Sequence, residues 1–509
     1  MTAAAPLSPN QLPLDLDGLP PDLASDEPEH ASTTAQHACS LEFVVMSTGS
    51  FKFIDLFAGI GGFHHALADL GGECALAVEI DADARRTYRA AFGVHVPLVE
   101  DIRSLTKTAE RDRTPDQIAA RVPDHDVLCA GFPCQPFSKS GAQMGTRDRT
   151  RGTLFFDVMT IVLAKEPRFV ILENVRNLAG PRHTETWDTV VDSLQEAGYI
   201  VSSTPLVFSP HLLPKKRGGA GQVRDRVFVL AHRPDEPVLL EDRDERPLIE
   251  YGPVGPFDPH KGWKVKSILD KKVDLAVYGL RDEERAWLAA WQSLAQEVVD
   301  ERGIKPKDLP GFPMWADVWV DEAPELDGQP AWKRNFLRKN YAWYLQHKRF
   351  IDTWRQMTWD EHGRTVDNFP PSRRKFEWQA RREQGSADDR DLESLVAHFR
   401  PSGIRVKPPT YLPALVAITQ TSVIGPKITG TDWRRLTPIE AAKLQGITDR
   451  TLWRRAGMKD SAAYKQLGNA VNVGVVRFLA ERLFLHGGAP WLTKAHEEWL
   501  ESSVAAAGA

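Results

Sequence analysis

The residue of this chain best placed to do chemistry is a cysteine framed by prolines. In Ala130 to Gly141, AGFPCQPFSKSG, Cys134 lies between Pro133 and Pro136, directly after the short apolar run Asp126 to Ala130. Gly131, Pro133 and Pro136 end that run and fix the backbone direction. The thiol is thus presented at the carboxyl edge of a strand, where open α/β sheets bind their ligands. Cys134 is the candidate nucleophile, whereas Cys129, inside the apolar run, reads as a small buried hydrophobe. Glu173 and Asn174 close FVILENV (Phe169 to Val175), a run apolar enough for a parallel strand buried on both faces. At the end of the next strand after a nucleophile, Glu173 is the candidate proton partner. Arg224 and Arg226 enter a further strand, and alternate residues of an extended chain share a face. Both are therefore expected to point at one anionic or polar group.

A second constellation suits a nucleoside. Phe51 to Phe57 (FKFIDLF) reads as a strand, Ala58-Gly59-Ile60-Gly61-Gly62 as a tight turn, and Phe63 to Leu70 as a helix. Glu79, near the end of a second strand (Cys74 to Asp81), follows Gly59 by 20 residues, the separation at which an acidic side chain meets ribose hydroxyls. His64 stands where a dinucleotide fingerprint needs glycine or alanine, which favours a cofactor without pyrophosphate over NAD. His64 and His65 themselves are expected on the helix surface, not as metal ligands. A third strand, His95 to Glu100, delivers Asp101 to the same edge as an acceptor for an adenine amino group.

Around these residues the chain alternates strand and helix, with a helix over Phe155 to Ala164 and strands over Tyr199 to Phe208 and Arg226 to His232. Residues 1–50, rich in Pro, Ala, Ser, Asp and Glu, carry no sustained period and are expected to be disordered. The alternation stops from about 236 to 432. Ten of the 15 tryptophans lie between Trp263 and Trp378, and Trp287, Trp291, Leu294 and Val298 share helical spacing, the signature of a second core. From Trp332 to Arg382, 13 Lys or Arg stand against 5 Asp or Glu among aromatic residues, a composition suited to a nucleic-acid backbone. The alternation resumes with Thr437 as a helix cap, Pro438 in the first turn and Glu440 completing a capping box, then a helix over Val473 to Leu485. Residues 487–509 read as a tail.

Composition bounds the class. A chain of 509 residues holds about two to three domains. No apolar run reaches the roughly 20 residues of a membrane span, and the amino terminus shows no secretory signal. Four cysteines without CxxC spacing argue against a disulfide scaffold or zinc site and for a reducing, cytoplasmic setting. A net charge of −5 means that any basic surface is local.

Six segments in fixed order, FIDLFAGIGGF, GFPCQPFSKSG, ENV, QVRDR, RRLTPIEAAKLQG and QLGNAV, resemble the DNA cytosine-5 methyltransferase family. The resemblance covers about 51–235 and 433–486 and implies a Rossmann-like α/β methyltransferase domain with a mostly parallel sheet. It also implies a smaller target recognition domain over 236–432. S-adenosylmethionine is implied as cofactor, held by Phe57, Gly59, Gly62, Glu79, Ile80, Asp101 and Asn469. One departure is Pro214 to Gly221, longer than the family's usual approach to Gln222.

The implied chemistry makes the residue set intelligible. Carbon 5 of cytosine is too weak a nucleophile to take a methyl group, so a Cys134 thiolate first adds at carbon 6. Glu173 supplies a proton or hydrogen bond at N3, and Arg224 and Arg226 orient the base or Glu173. No metal is needed. The cytosine must flip out of double-stranded DNA, with the loop Ser138 to Thr153 closing behind it. A monomer with no membrane association is expected, protecting host DNA beside a companion restriction endonuclease. An RNA cytosine methyltransferase and a non-catalytic DNA-binding homologue are the alternatives. A small recognition region would mark the first and a lost Cys134 or Glu173 the second.

Overall fold

The structure, a computed structural model, describes residues 51–133, 154–302, 309–379, 391–415 and 422–492. Cys134, the loop Ser138 to Thr153, the expected disordered segment 1–50 and most of the tail lie outside these residues. The described chain forms two compact units, one of Leu280–Lys407 and one of the residues before and after it. The interruption expected over 236–432 is therefore wider than the compact unit.

The larger unit is built on an eight-stranded sheet of order β3-β2-β1-β4-β5-β9-β6, with β7 also on β9. Its strands are β1 (Phe51–Leu56), β2 (Gly72–Val78), β3 (Leu98–Val99), β4 (Val127–Ala130), β5 (Phe169–Val175), β6 (Ile200–Val201), β7 (Leu206–Phe208) and β9 (Arg226–His232). The first five run parallel, and β6, β7 and β5 all pair antiparallel with β9. A separate short strand, β8 (Gln222–Val223), pairs with Leu412–Pro413. The helices α1 (Gly62–Ala68), α2 (Ala82–Phe92), α3 (Leu154–Lys165) and α4 (Thr184–Glu196) connect the strands. Chain order reverses between β1 and β4, which makes the carboxyl edge there a topological switch point. β4 is fully buried, and Cys129 within it is core as expected.

Three expectations need correction. The strand expected over Tyr199 to Phe208 is two, because Ser203 leaves the sheet to bond Asp244 through both its amide (2.7 Å) and its hydroxyl (2.8 Å). The third strand shortens to Leu98–Val99. His64 is not on the surface: it is 8% exposed, its Nδ1 lies 2.6 Å from the Tyr88 hydroxyl, and its ring stacks on Phe92 at 3.6 Å. Burial pushes its imidazole down to about 3, so it is neutral core.

The returning segment supplies α5 (Pro438–Leu444), α6 (Asp460–Asn469) and α7 (Val473–His486). The capping box at α5 forms as expected: the Glu440 amide donates to Thr437 Oγ1 (3.2 Å) and the Thr437 amide to Glu440 Oε2 (2.9 Å). α7 buries a broad apolar face and inserts Phe484 between Phe51 and Phe169, with ring centroids 5.3 and 5.0 Å away.

The unit Leu280–Lys407 has its own aromatic core. Trp287, Trp291, Leu294 and Val298 are all buried along the helix Asp282–Arg302, as their spacing predicts. Trp291 stacks on Phe376 at 4.8 Å, and Trp354 Nε1 donates to the Ala290 carbonyl at 2.8 Å. Within the basic stretch, some of the rings are core and some of the cations are paired, while Trp332, Tyr341 and Trp343 stay partly exposed beside Arg338 and Arg349. Phe336, Tyr344, Phe350, Trp354 and Trp378 are buried, while Arg355 and Arg374 pair with Asp367 and Asp317. Composition recorded the charges but not which are paired: Asp317, the partner of Arg374, lies outside the stretch.

Candidate active site

Every parallel strand of the sheet ends at one edge, and most of the singled-out residues lie there. The glycine turn follows β1, Glu79 and Ile80 follow β2, Asp101 follows β3, Gly131 and Phe132 follow β4, and Glu173 lies near the end of β5. The edge is thus divided by the switch point into a β1–β3 side and a β4–β5 side.

On the β4–β5 side, Glu173 is buried, with Arg226 Nε 3.0 Å from its Oε1. Burial raises its carboxyl above the usual range, and the charges of Arg226 and Arg224 oppose that rise without cancelling it. A hydrogen-bonded acid that holds its proton this way can donate it to a ring nitrogen. Arg226 is aimed there because β9 runs antiparallel to β5 and its first residue pairs with Val175. A Cβ on Gly131 would lie 3.5 Å from Glu173 Oε2, so the acid sits directly against the chain that leads to Cys134. Asn174, not expected to act, joins these strand ends: its Nδ2 donates to the Phe132 carbonyl at 2.9 Å and its Oδ1 accepts from the Val175 amide at 2.8 Å. Its place beside Glu173 was the one signal for it.

Arg224 departs from expectation. It lies between β8 and β9, where strand alternation is broken; its charge acts on Glu173 as that of Arg226 does, but its hydrogen bonds go elsewhere. Its Nη2 donates to the carbonyls of Gly468 and Ala470, both at 2.8 Å, and its amide donates to Ser209 Oγ at 2.8 Å. Arg224 therefore fastens the end of α6 to the sheet. Nothing in the sequence around Ser209 marks its part in this.

On the β1–β3 side, the Gly59 amide donates to Glu79 Oε2 and the Asp81 amide to Glu79 Oε1, both at 2.7 Å. The turn is left-handed at Phe57 (φ 62°) and Gly59 (φ 56°), and nothing lies within 4 Å of where a Gly59 Cβ would be. Gly62 differs: a Cβ there would fall 2.5 Å from Val471 Cγ2, so packing against the QLGNAV segment requires that glycine. Ile80 is 65% exposed, an aliphatic face next to a carboxylate. Asp101 keeps its Oδ1 on the Arg103 amide at 2.9 Å. Asn469, exposed at the end of α6, lies one turn beyond Lys465, which pairs with Asp81 at 2.8 Å. An open turn, an exposed aliphatic side chain and two carboxylates fit the ribose, adenine face and amino group of a nucleoside. The structure therefore suits S-adenosylmethionine. Beneath the turn, Asp55 is fully buried.

Among the described residues no helix is long and apolar enough to cross a membrane. The model of the C-5 cytosine-specific DNA methylase family matches residues 51–485. The chain is similar to the Type II methyltransferase M.AluI of Cellulosimicrobium cellulans, 39% identical over 85% of this chain and 92% of that protein. It is also similar to the Type II methyltransferase M.HhaI of Haemophilus parahaemolyticus, 38% identical over 36% of this chain and 50% of that protein. With a match that runs through the glycine turn, the Glu173 strand and the returning helices, this chain is a DNA cytosine-5 methyltransferase and belongs to the C-5 cytosine-specific DNA methylase family.

Proposed function

We propose that the enzyme methylates carbon 5 of a cytosine flipped out of double-stranded DNA, through a transient bond between Cys134 and carbon 6. The observation that carries this reading is the buried Glu173, raised in pKa and bonded to Arg226, next to the chain that leads to Cys134. The Cys134 thiolate adds to carbon 6, and the displaced electron pair is taken up at N3 as Glu173 gives its proton there. Arg226 keeps Glu173 oriented and offers its remaining N–H groups to the base oxygen. Carbon 5 becomes electron-rich, the state in which it can accept a methyl group. Transfer of the carbon 5 proton to water and expulsion of the Cys134 thiolate then restore the ring, and Glu173 recovers its proton from N3.

When bound, S-adenosylmethionine supplies the methyl group. Glu79 would accept from the ribose hydroxyls, Ile80 cover the adenine face and Asp101 accept from the adenine amino group, with Phe57, Gly59 and Asn469 completing the pocket. The unit Leu280–Lys407, with the chain flanking it, would serve as target recognition domain. Likeness to Type II methyltransferases supports a role in protecting host DNA beside a companion endonuclease.

The test is a duplex carrying 5-fluorocytosine at the preferred site, incubated with protein and S-adenosylmethionine. Fluorine cannot leave as a proton does, so the expected result is a stable adduct whose peptide maps to Cys134 and which Cys134→Ser abolishes. Full methyl transfer by Cys134→Ser would end the covalent reading.

A further inference from the structure

Far from the site edge, three segments of the larger unit bring two imidazoles and a carboxylate together. His232 ends β9, Glu245 lies in the chain that follows, and His486 is the last residue of α7. Glu245 Oε2 lies 2.7 Å from His486 Nε2 and 3.7 Å from His232 Nε2, and one ligand atom from each residue lies within 4.8 Å of the others. His232 pairs with Phe169, the first residue of β5. Glu173 is four residues further along that strand, about 13 Å away.

A plain ion pair leaves part of this arrangement unexplained. It satisfies His486, but His232 is 8% exposed and its Nε2 has no hydrogen-bond partner, being too far from Glu245 for one. Among the described residues, Glu245 forms no ion pair with Lys or Arg. The three backbones are also fixed. The carbonyls of Gly487 and Gly488, just beyond His486, each accept from Arg168 Nη2 at 3.0 Å. A Cβ on Gly487 would fall 3.1 Å from His232 Cβ, so that glycine lets α7 close on β9. Asp244, beside Glu245, is held by Ser203.

We propose that His232, Glu245 and His486 form a structural site for a divalent ion of the zinc class, clasping the returning segment to the sheet. Bonds of about 2.0–2.2 Å to nitrogen and oxygen set neighbouring ligand atoms about 3.4 Å apart in a tetrahedron. The observed separations bracket that value. Two imidazoles with one carboxylate select zinc, cobalt or nickel over magnesium and calcium, which take oxygen. Water fills the fourth position, reached past His486, whose side chain is 45% exposed.

The test uses tag-free full-length protein in a Cys134→Ser background, so that the catalytic thiol cannot bind the ion. One equivalent of Zn2+ should bind and raise Tm, and Co2+ should give a tetrahedral absorption spectrum. His486→Gln and Glu245→Gln should each weaken binding by on the order of 100-fold or more, with circular dichroism and S-adenosylmethionine affinity unchanged. Failure to take up one equivalent, or uptake equal in both variants and the parent, would overturn the site and leave the catalytic reading untouched.

Discussion

Arg226 Nε lies 3.0 Å from Glu173 Oε1 in a setting buried enough that the carboxyl nonetheless titrates above its usual range. Burial raises that pKa, and the arginine lowers it without winning. The protonated form is the donor, so activity should fall as pH rises through the pKa of Glu173. Arg226→Gln removes the opposing charge, and the alkaline limb of kcat/KM should move to higher pH while kcat falls. Glu173→Gln should cost about 10²–10⁴-fold in kcat and lose that limb. An alkaline limb that stays put in Arg226→Gln would mean that another group controls it.

Arg224 makes a different prediction, although it is two residues from Arg226. Its guanidinium serves the buried carbonyls of Gly468 and Ala470, and a buried acceptor left unpaired costs about 1–3 kcal/mol. Arg224→Met should lower stability by on the order of 3 kcal/mol and weaken S-adenosylmethionine binding, because α6 loses its anchor. Thermal unfolding and equilibrium binding check both. A loss of kcat with unchanged Tm and cofactor affinity would return Arg224 to the reacting base.

What the sequence made legible was local. The Thr437–Glu440 capping box, the apolar run of β5 and the helical spacing of Trp287 and Trp291 are set by neighbours within a few residues, and each forms as its pattern predicts. The division of the sheet edge also followed from where strands end. What was hidden depends on distant chain. The partners of Arg224 lie 244 and 246 residues away, the burial of His64 depends on Tyr88 and Phe92 from α2, and Arg374 meets Asp317 across 57 residues. A run of basic residues reports charge, and only the fold reports which charges are neutralised.

The two glycines of the cofactor turn should separate on substitution. Gly62→Ala places a Cβ 2.5 Å from Val471 Cγ2 and 2.9 Å from the Val471 carbonyl, an overpacking worth about 1–3 kcal/mol. Gly59→Ala has room, and its φ of 56° costs about 1–2 kcal/mol in a non-glycine residue. Affinity for S-adenosylmethionine, measured by calorimetry on folded protein, should drop further in Gly59→Ala than its stability does. Equal affinity in Gly59→Ala and wild type would remove Gly59 from the pocket.

Asp55 supplies a pH test independent of catalysis. Burial pushes its carboxyl up to about 8 from an ordinary value of 3.8, the His64 amide opposes this only in part, and the charge of Glu79 adds to it. The folded state thus holds a proton that the unfolded state releases at lower pH. The stability tied to this group is complete below pH 3.8 and is lost as pH rises toward about 8. Asp55→Asn keeps the shape and removes the titration. Its unfolding free energy should vary less with pH between about 4 and 8 than that of the wild type, and its relative stability should be greatest at the alkaline end. Parallel pH–stability curves for the two proteins would show that the Asp55 carboxyl ionises in the folded protein as it does in the unfolded chain.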